Sequence, residues 1–304
     1  MPINLHLYSH FFSHSSDLRL RAGIKLFVLL LSSVLCSNLL AADNGYPHQQ
    51  EPIGSVRQIY DGKLLPDLRI NTFRNIHRLF PVRTVERGPQ ATAFDYALRS
   101  LDDFSMTWNG SDFDLIDVIT LNQVQAIMVV KDGEVLMEEY FHGNSAETRW
   151  MSMSVVKTIT VMLIGAALEQ GHIASLQDPI SRYLPELNNT AYAEVSVEQV
   201  IAMTTGVDWN ETYTDPESDR RKMLEAQIAM EPGAILELMG QLPRHSAAGS
   251  RWNYNTGETH IAGALVQAST GRWLADYLSE VLWQPLGMDS DASWWLESEE
   301  GLEF

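Results

Sequence analysis

The sequence has almost no cysteine and few basic residues for its length. Cys36 is the single cysteine among 304 residues, so a disulfide framework and a cysteine-ligated zinc site are both excluded. Lys and Arg total 21 against 39 Asp and Glu, which gives a formal net charge of −18. A nucleic-acid-binding domain needs a basic face. The charge balance therefore argues against a nucleic-acid partner.

Long apolar runs are also missing, because the longest one falls short of the roughly 20 residues that a membrane span requires. It lies in an N-terminal pattern of basic, apolar and small residues: Arg19, Arg21 and Lys25, then residues 26–35, then Ala41 and Ala42. This pattern is typical of a secretory signal peptide. We predict a signal peptide over residues 1–42 and an exported protein, periplasmic or secreted, with a membrane anchor as the alternative. Leu35 is too bulky for the position before a lipidated cysteine, which disfavours lipidation of Cys36.

The rest of the chain has the composition of a folded protein. Apolar residues make up 45% of the full sequence, which is enough for a sizeable core in one large domain or two small ones. Residues 43 to about 90 mix Pro, Gly, Gln and Arg with scattered apolar residues, and we predict an extended lead with little regular structure. The segment 94–106 has apolar residues at helical spacing, which predicts a helix. Two β-branched runs over 124–143 flank an Asp-Gly turn and predict a hairpin.

A helical block follows over residues 150–290. Residues 155–168 are apolar on nearly all sides, as in a buried helix that Gly171 ends. Ser196 and Gly206 mark the start and end of a shorter helix. Further helices are predicted at 219–230, 233–242, 257–271 and 272–288. Two adjacent tryptophans near the end, Trp294 and Trp295, need packing partners, and a lone hairpin is too little sheet, so we expect further strands after residue 304.

Ser154 and Lys157 stand three residues apart at the start of the predicted buried helix. Ser is a common helix-start residue, and a Ser-x-x-Lys pair arises often by chance. At this spacing, however, the two side chains share one face of a helix. An apolar environment disfavours the charged form of a lysine, and a neutral amine beside a serine hydroxyl is a competent general base. An ion pair with a nearby carboxylate is the alternative role for Lys157.

Tyr254 lies in a short loop before another predicted helix, 100 residues after Ser154. Considered alone, a tyrosine in such a place is a half-buried aromatic whose hydroxyl makes one hydrogen bond. Four segments taken together carry more information, and they are "SMSVVKT", "VIAMTTGVDW", "WNYNTGETHIAGALV" and "VLWQPLGMDSD". In this order they resemble landmarks of the serine hydrolase family that contains class C β-lactamases, DD-peptidases, certain esterases and 6-aminohexanoate-dimer hydrolases.

The resemblance implies an α/β (α+β) fold of the β-lactamase/transpeptidase type, with an antiparallel sheet flanked by helices and an all-helical subdomain. It implies Ser154 as the acylated nucleophile, Lys157 as its base and Tyr254 as a second acid/base. The N–H of Ser154 would form half of an oxyanion hole. The implied organisation is a lead and helix over 43–115, then the family domain over 116–304, with its last strands missing.

The sequence departs from the family pattern in two places, and one segment resembles a particular branch of the family. The family's Tyr-x-Asn motif has Thr256 in its third place, with Asn255 one position early, which weakens the β-lactamase reading. The segment "GVDWNETYTDPESD" resembles the 6-aminohexanoate-dimer hydrolase branch, where Tyr213 matches a substrate-covering tyrosine; the alternative is a loop aromatic without a role. We therefore expect Tyr213, Asn255 and Thr256 to contact substrate. A Lys-Thr-Gly or His-x-Gly strand, which the family uses to complete the oxyanion hole, is absent from the sequence, so the chain as given is expected to be incomplete and inactive on its own.

The sequence thus predicts an exported serine hydrolase that cleaves a carboxylic ester or a small linear amide. A β-lactamase or DD-peptidase is the alternative within the family, and a non-catalytic binding protein is the alternative outside it. The acidic residues 211, 215, 217 and 219 are expected to form a solvated loop rather than to bind a substrate ammonium. His245 and His260 have no partner at ligand spacing, so no metal and no cofactor are expected.

Overall fold

The computed structural model describes residues 45–303 of the chain. The predicted signal peptide, including Cys36, lies outside the described residues. The chain divides into two units, residues 1–49 and residues 50–304. The described part of the first unit is a turn, in which the Gln49 N–H donates to the Tyr46 carbonyl over 3.0 Å and the rings of Tyr46 and His48 lie 5.4 Å apart.

Short strands run through the second unit. They are β1 (Val82–Val85), β2 (Asp95–Tyr96), β3 (Ser105–Trp108), β4 (Ser111–Asp114), β5 (Ala126–Lys131), β6 (Glu134–Tyr140) and β7 (Ala292–Trp295). Within residues 45–303 they form three small sheets: β1 with β7, β3 with β4, and β6 between β2 and β5. The pair β2–β6 is parallel and the other pairs are antiparallel. The sheet around β6 is therefore mixed rather than purely antiparallel.

Helices make up most of the rest of the second unit. They are α1 (Val56–Tyr60), α2 (Pro66–Arg74), α3 (Leu115–Leu121), α4 (Val155–Glu169), α5 (Val197–Ile201), α6 (Asp219–Ala229), α7 (Ala234–Gly240), α8 (Thr256–Thr270) and α9 (Leu274–Leu278). Helix α8 is the centre of the core, because it contacts α4, α5, α6, α7 and α9. Ile261, Leu265 and Val266 on α8 are fully buried. Each contributes about 1.5–3 kcal/mol by burial.

The predicted hairpin and its turn are confirmed. Strands β5 and β6 pair antiparallel, with a bulge between Val129 and Val130. Asp132 and Gly133 both have positive φ, 55° and 88°, as a two-residue type I′ turn requires. The Asp-Gly pair thus sets the register of these two strands.

The predicted helix after residue 154 is confirmed, but its burial is not complete. The Gln170 and Gly171 N–H groups close the last turn of α4, and Gly171 has a φ of 77°. Leu163, Ile164 and Ala167 are buried, whereas Val155 is 66% exposed. Only the C-terminal half of α4 is embedded, and its N-terminal turn reaches the surface.

The lead over 43 to about 90 contains more regular structure than the sequence predicted. Ser55 and Gln58 form a reciprocal capping box that begins α1, and Pro66 occupies the first turn of α2. Both are good helix-start signals. The helices were missed because they are short and lack a strong apolar periodicity.

The helix predicted over 94–106 is wrong. This segment contains β2 and the start of β3. The Ala97 and Arg99 N–H groups donate to the carbonyls of Val135 and Leu136 on β6. The edge of β6 therefore takes up the segment, and pairing between distant residues outweighs the local helical spacing.

Two predicted helices end earlier than expected. Helix α5 stops at Ile201 rather than at Gly206, because Met203 already has a φ of 54°. The helix predicted over 272–288 is α9 followed by a π-helical turn at Ser279–Trp283.

The two tryptophans near the end pack against this chain. Trp294 is buried in the main core, while the Trp295 ring lies 4.9 Å from that of Phe80 and its indole donates to the Ile76 carbonyl. The pairing of β7 with β1 brings these two side chains against the core and against the segment that precedes β1, so both have packing partners within the chain. Over residues 45–303, no helix combines the length and apolar character needed to cross a bilayer.

Gly206 gives a test of this architecture. It has a φ of 75°, and a Cβ there would lie 2.3 Å from the Ser246 carbonyl oxygen. We expect Gly206→Ala to lower the free energy of unfolding by about 3 kcal/mol, because strain and a backbone clash add. Gly171→Ala is the control: its φ is 77° with open space around the Cβ, so it should cost only about 1 kcal/mol. Equal losses in urea denaturation would contradict the clash.

Candidate active site

Ser154 stands at the exposed N-terminus of α4. It is the residue before the first helical turn, yet its side chain makes no capping hydrogen bond to the helix. Met153 just before it has a φ of 49°, a left-handed conformation that is costly for a residue with a side chain. The chain is therefore bent sharply at this point, and the Ser154 hydroxyl is left available to other side chains.

Lys157 is one of those side chains. Its Nζ donates to Ser154 Oγ over 3.2 Å, as the spacing of three residues predicted. Lys157 is half-buried rather than buried, because the first turn of α4 lies at the surface. The expected apolar surroundings are thus only partly present.

Tyr254 is the second partner. Its hydroxyl donates to Ser154 Oγ over 2.9 Å, across 100 residues of sequence. The Lys157 Nζ lies 5.1 Å from the centre of the Tyr254 ring, and the Trp252 ring lies 6.4 Å away on the same segment. The structure therefore brings together the three predicted catalytic side chains around one oxygen atom.

This arrangement contains the parts that acyl transfer needs. Ser154 Oγ has an amine and a phenol within hydrogen-bonding distance, and the deprotonated form of either group can accept the proton that the hydroxyl loses. The backbone N–H groups at the first turn of a helix have no partner within the helix. They can therefore stabilise negative charge that develops next to Ser154.

The three predicted substrate-binding residues are placed differently from one another. Asn255 is only 1% exposed, and its side chain accepts from the Glu258 N–H and donates to the Glu258 carboxyl. It caps α8 and is not presented to a substrate, so that prediction needs correction for Asn255. Thr256 is half-buried and bonded to Glu211, while Tyr213 is 42% exposed and also bonded to Glu211.

Glu211 was expected to be a solvated acidic residue, and this is wrong. Its carboxylate accepts from the Trp209 indole, the Tyr213 hydroxyl at 2.9 Å, and the Thr256 N–H and hydroxyl at 3.0 and 2.5 Å. Arg220 Nε lies 4.0 Å from it. Glu211 thus connects the loop of Tyr213 to the N-terminus of α8, two residues after Tyr254. A carboxylate is favoured at a helix N-terminus by the partial positive charge there.

Tyr213 is held in a way that keeps it protonated. Burial raises the pKa of Tyr213, and the neighbouring Glu211 charge raises it further. Its ring packs 5.9 Å from that of Tyr60, which the Arg220 guanidinium covers at 4.5 Å. The Tyr213 hydroxyl is therefore a hydrogen-bond donor across the physiological pH range.

A buried carboxyl, Glu258, lies one turn into α8, and sequence reasoning did not single it out. Its Oε1 accepts from the Thr205 hydroxyl, from Asn255 Nδ2 at 3.2 Å and from the Tyr192 hydroxyl at 3.5 Å. Desolvation raises the pKa of Glu258 to about 8, against the opposing effect of these donors. A glutamate in the first turn of a predicted helix is ordinarily interpreted as a favourable exposed charge. The burial of Glu258 could therefore not be predicted from its position in the sequence.

The two histidines each have a carboxylate near them in space. His245 Nδ1 lies 3.6 Å from Asp208, and His260 Nε2 lies 3.6 Å from Glu297. Each carboxylate lies 37 positions from its histidine in the sequence, so the spacing of residues did not reveal these neighbours. Burial lowers the pKa of His260 to about 4. Over residues 45–303, no cluster of three or more His, Cys, Asp or Glu side chains has the arrangement of a metal site.

Comparison with known proteins places this site in a family. A family model described as Beta-lactamase matches residues 123–301. A 6-aminohexanoate-dimer hydrolase from Paenarthrobacter ureafaciens is 30% identical over 226 residues, which are 73% of this chain and 56% of that protein. A putative D-alanyl-D-alanine carboxypeptidase from Escherichia coli (strain K12) is 20% identical over 158 residues, 52% of this chain and 36% of that one.

A solved structure supports the fold. A putative 6-aminohexanoate-dimer hydrolase from Bacillus anthracis matches with a TM-score of 0.70 and 25% identity, over 78% of this chain and 64% of that chain. This similarity confirms the predicted fold class. The chain spans 56% of the Paenarthrobacter protein and 64% of the Bacillus chain.

The role of Glu211 can be tested by neutralising it. Glu211→Gln keeps the size of the side chain but replaces charge-assisted hydrogen bonds by weaker neutral ones and leaves Arg220 without its nearest anion. We expect the free energy of unfolding to fall by about 2 kcal/mol. Glu217→Gln, in the exposed part of the same loop, should change it by less than about 0.5 kcal/mol. Equal stability of the two variants in urea denaturation would contradict a connecting role.

The buried Glu258 predicts a pH dependence of stability. Its pKa is about 8 in the folded state against an ordinary value of 4.5, so between these values the folded state holds a proton that the unfolded state has lost. The free energy of unfolding should therefore fall as pH rises from about 4.5 to about 8, by up to about 1.4 kcal/mol per pH unit. Above pH 8 and below pH 4.5 this contribution is flat.

The measurement is urea denaturation from pH 5 to pH 9 on the wild type and Glu258→Gln. The difference in unfolding free energy between them isolates this one group, and it should shift steadily in favour of the Gln variant as pH rises to 8. Glu194→Gln, at an exposed position two residues after Tyr192, serves as the control and should follow the wild type. A difference that does not vary with pH would show that Glu258 is ionised in the folded state.

Proposed function

The chain belongs to the beta-lactamase family, and from this premise we propose that it is a serine hydrolase that forms an acyl-enzyme on Ser154 and cleaves a carboxylic ester or a small linear amide. One observation carries the proposal. Ser154 Oγ is contacted by Lys157 Nζ at 3.2 Å and by the Tyr254 hydroxyl at 2.9 Å, while the side chain makes no capping bond to its own helix. A serine that served only to start the helix would have its hydroxyl turned to the backbone.

The proposed reaction has two steps. In the first, Ser154 Oγ bonds to the substrate carbonyl carbon and gives its proton to Lys157, and the tetrahedral oxyanion is stabilised by the Ser154 N–H. The C–N or C–O bond then breaks, and the Tyr254 hydroxyl passes its proton to the departing amine or alcohol, which leaves a phenolate. In the second step a water molecule bonds to the acyl carbon and gives a proton to the Tyr254 phenolate. The bond between that carbon and Ser154 Oγ breaks to release the acid, and Lys157 returns its proton to Oγ.

Two features support an ester or linear amide above a β-lactam. Thr256 stands where the family motif has an asparagine, and its side chain is engaged with Glu211. The relative with 30% identity is named for hydrolysis of a 6-aminohexanoate dimer, which is an open-chain molecule. Tyr213, tied to the same Glu211, is the residue that we propose covers such a substrate.

We also propose that the protein is exported. The support is the order of basic, apolar and small residues before Ala42. N-terminal sequencing of the protein purified from its natural host tests this, and a mature chain that retains residues 1–42 would contradict it.

Acylation can be tested directly with a fluorophosphonate probe and intact-mass measurement. We expect one adduct, located on Ser154, in the wild type and none in Ser154→Ala. Lys157→Ala and Tyr254→Phe should slow labelling by about 10²–10⁴-fold, the range for loss of a general acid or base. The thermal midpoint of Lys157→Ala should stay similar or rise, because the change removes a partly desolvated amine.

Hydrolysis of p-nitrophenyl esters, nitrocefin and linear amide dimers then distinguishes the substrate classes. Turnover of nitrocefin above the other two would favour a β-lactamase. A full-length protein that acquires no label, in a sample shown to be folded, would favour a non-catalytic binding protein and would end the enzyme proposal. Labelling that survives Lys157→Ala unchanged would remove Lys157 from the role of base.

A further inference from the structure

The proposed chemistry uses Tyr254 but does not explain what keeps its hydroxyl on Ser154. Tyr254 lies on an irregular segment, and on a flexible segment a distance of 2.9 Å would be lost easily. The Asn253 N–H donates to the Met203 carbonyl over 2.9 Å, and the Asn255 N–H approaches the Met203 sulfur at 3.4 Å. The residues on both sides of Tyr254 are thus attached to the turn that follows α5.

Glu258 joins the same two pieces of chain from the inside. It is 2% exposed and accepts from the hydroxyl of Thr205, in the turn after α5, and from the side chain of Asn255, next to Tyr254. The Thr205 hydroxyl also receives the Val207 N–H at 3.2 Å, so the turn itself is held by the same contact. The carboxyl therefore links the Met203–Thr205 turn to the Tyr254 segment by side-chain contacts. These add to the two contacts that Met203 makes with the Asn253 and Asn255 N–H groups.

We propose that Glu258, as a neutral buried carboxyl, is a positioning residue for Tyr254: it ties Asn255 to Thr205 and so holds the Tyr254 hydroxyl against Ser154. The kinetic part of this inference rests on the proposed function. The positioning part rests only on the contacts and is tested separately below.

The surroundings explain why the neutral form is the one that holds the segment. Glu258 Oε2 is buried, and among the described residues no donor contacts it. Tyr192 is the titratable group in hydrogen-bonding contact, and burial raises the pKa of its phenol well above the usual value. The positive charge of Arg244 opposes the rise in the Tyr192 pKa. The Arg244 guanidinium donates to the carbonyls of Thr205 and Ala191 and forms no ion pair with Glu258. An ionised Glu258 would carry charge without a cation, and the cost would be relieved by opening this segment.

The test compares Glu258→Gln and Glu258→Ala with the wild type. Gln preserves the oxygen that accepts from Thr205 and Asn255 and cannot ionise, whereas Ala removes the link. The first readout is the rate of Ser154 labelling by a fluorophosphonate at pH 7 and pH 9. We expect Glu258→Gln to label within about 3-fold of the wild type at pH 7, and Glu258→Ala to label at least about 10-fold more slowly.

The pH dependence distinguishes positioning from mere support of the fold. With a pKa of about 8, nine-tenths of Glu258 is ionised at pH 9, so the labelling ratio of Glu258→Gln to wild type should rise about 10-fold between pH 7 and pH 9. Using the ratio cancels any pH effect on labelling that the two proteins share, including the effect on the probe. Glu297→Gln is the matched control, because Glu297 is another buried carboxyl whose pKa is raised by burial, and its ratio should stay flat.

The second readout needs no activity. Amide hydrogen exchange at Asn253 and Asn255 reports the attachment to Met203. We expect exchange there to accelerate at least 10-fold in Glu258→Ala and to stay unchanged in Glu258→Gln, while the amides of α6 exchange alike in all three proteins. Acceleration shared equally by α6 would indicate general destabilisation and would overturn the positioning role.

The two proposals fail in different ways. If the wild type is never labelled, the serine hydrolase proposal falls, and exchange at Asn253 and Asn255 still decides whether Glu258 holds the segment. If labelling is normal in Glu258→Ala, or if the Glu258→Gln ratio is the same at pH 7 and pH 9, Glu258 does not position Tyr254 for this chemistry.

Discussion

The structure depends on the burial of α8. This helix lies between α4, α5, α6, α7 and α9, and nine of its residues are buried. Its hydrophobic contacts fix its axis and therefore the position of its N-terminus, from which Tyr254 extends. Helix α4, whose buried half packs against α8, carries Ser154 at its own N-terminus. The hydrogen bond between these two residues is a consequence of how two helices pack.

Two carboxyl groups contact the N-terminal turn of α8, and their environments differ. Glu211 is partly exposed and receives four donors with Arg220 close by. Glu258 is buried with three donors on one oxygen, and no cationic side chain among residues 45–303 forms an ion pair with it. Desolvation therefore favours the protonated form of Glu258. One carboxyl thus caps the helix from a neighbouring loop, and the other is a buried acceptor within its first turn.

The sequence was most informative where the physical cause is local. The Asp132-Gly133 turn determines the hairpin, and the spacing of Ser154 and Lys157 determines their contact within one helix. The contact between Tyr254 and Ser154 could be predicted only from the family resemblance, because no local pattern relates residues 100 positions apart. The helix predicted over residues 94–106 was wrong for the opposite reason. The helical spacing of the apolar residues is real, but the edge of β6 offers hydrogen bonds that a local pattern does not reveal. Glu211 was taken for a solvated loop residue because its partner Thr256 lies 45 positions away. Glu258 was missed because a carboxylate near a helix start looks the same in sequence whether it is solvated or buried.

Backbone strain lies close to both parts of the candidate site. Met153, just before Ser154, and Met203, which holds the residues on either side of Tyr254, have φ values of 49° and 54°. Such conformations cost on the order of 1–3 kcal/mol each for residues with side chains. At Met203 the conformation closes the end of α5, because the Met203 N–H donates to the Val200 carbonyl over 3.0 Å and the Thr204 N–H to the Gln199 carbonyl over 2.9 Å. The buried faces of α4 and α8 fix the two helix ends, and at those ends the Tyr254 hydroxyl donates to Ser154 Oγ over 2.9 Å.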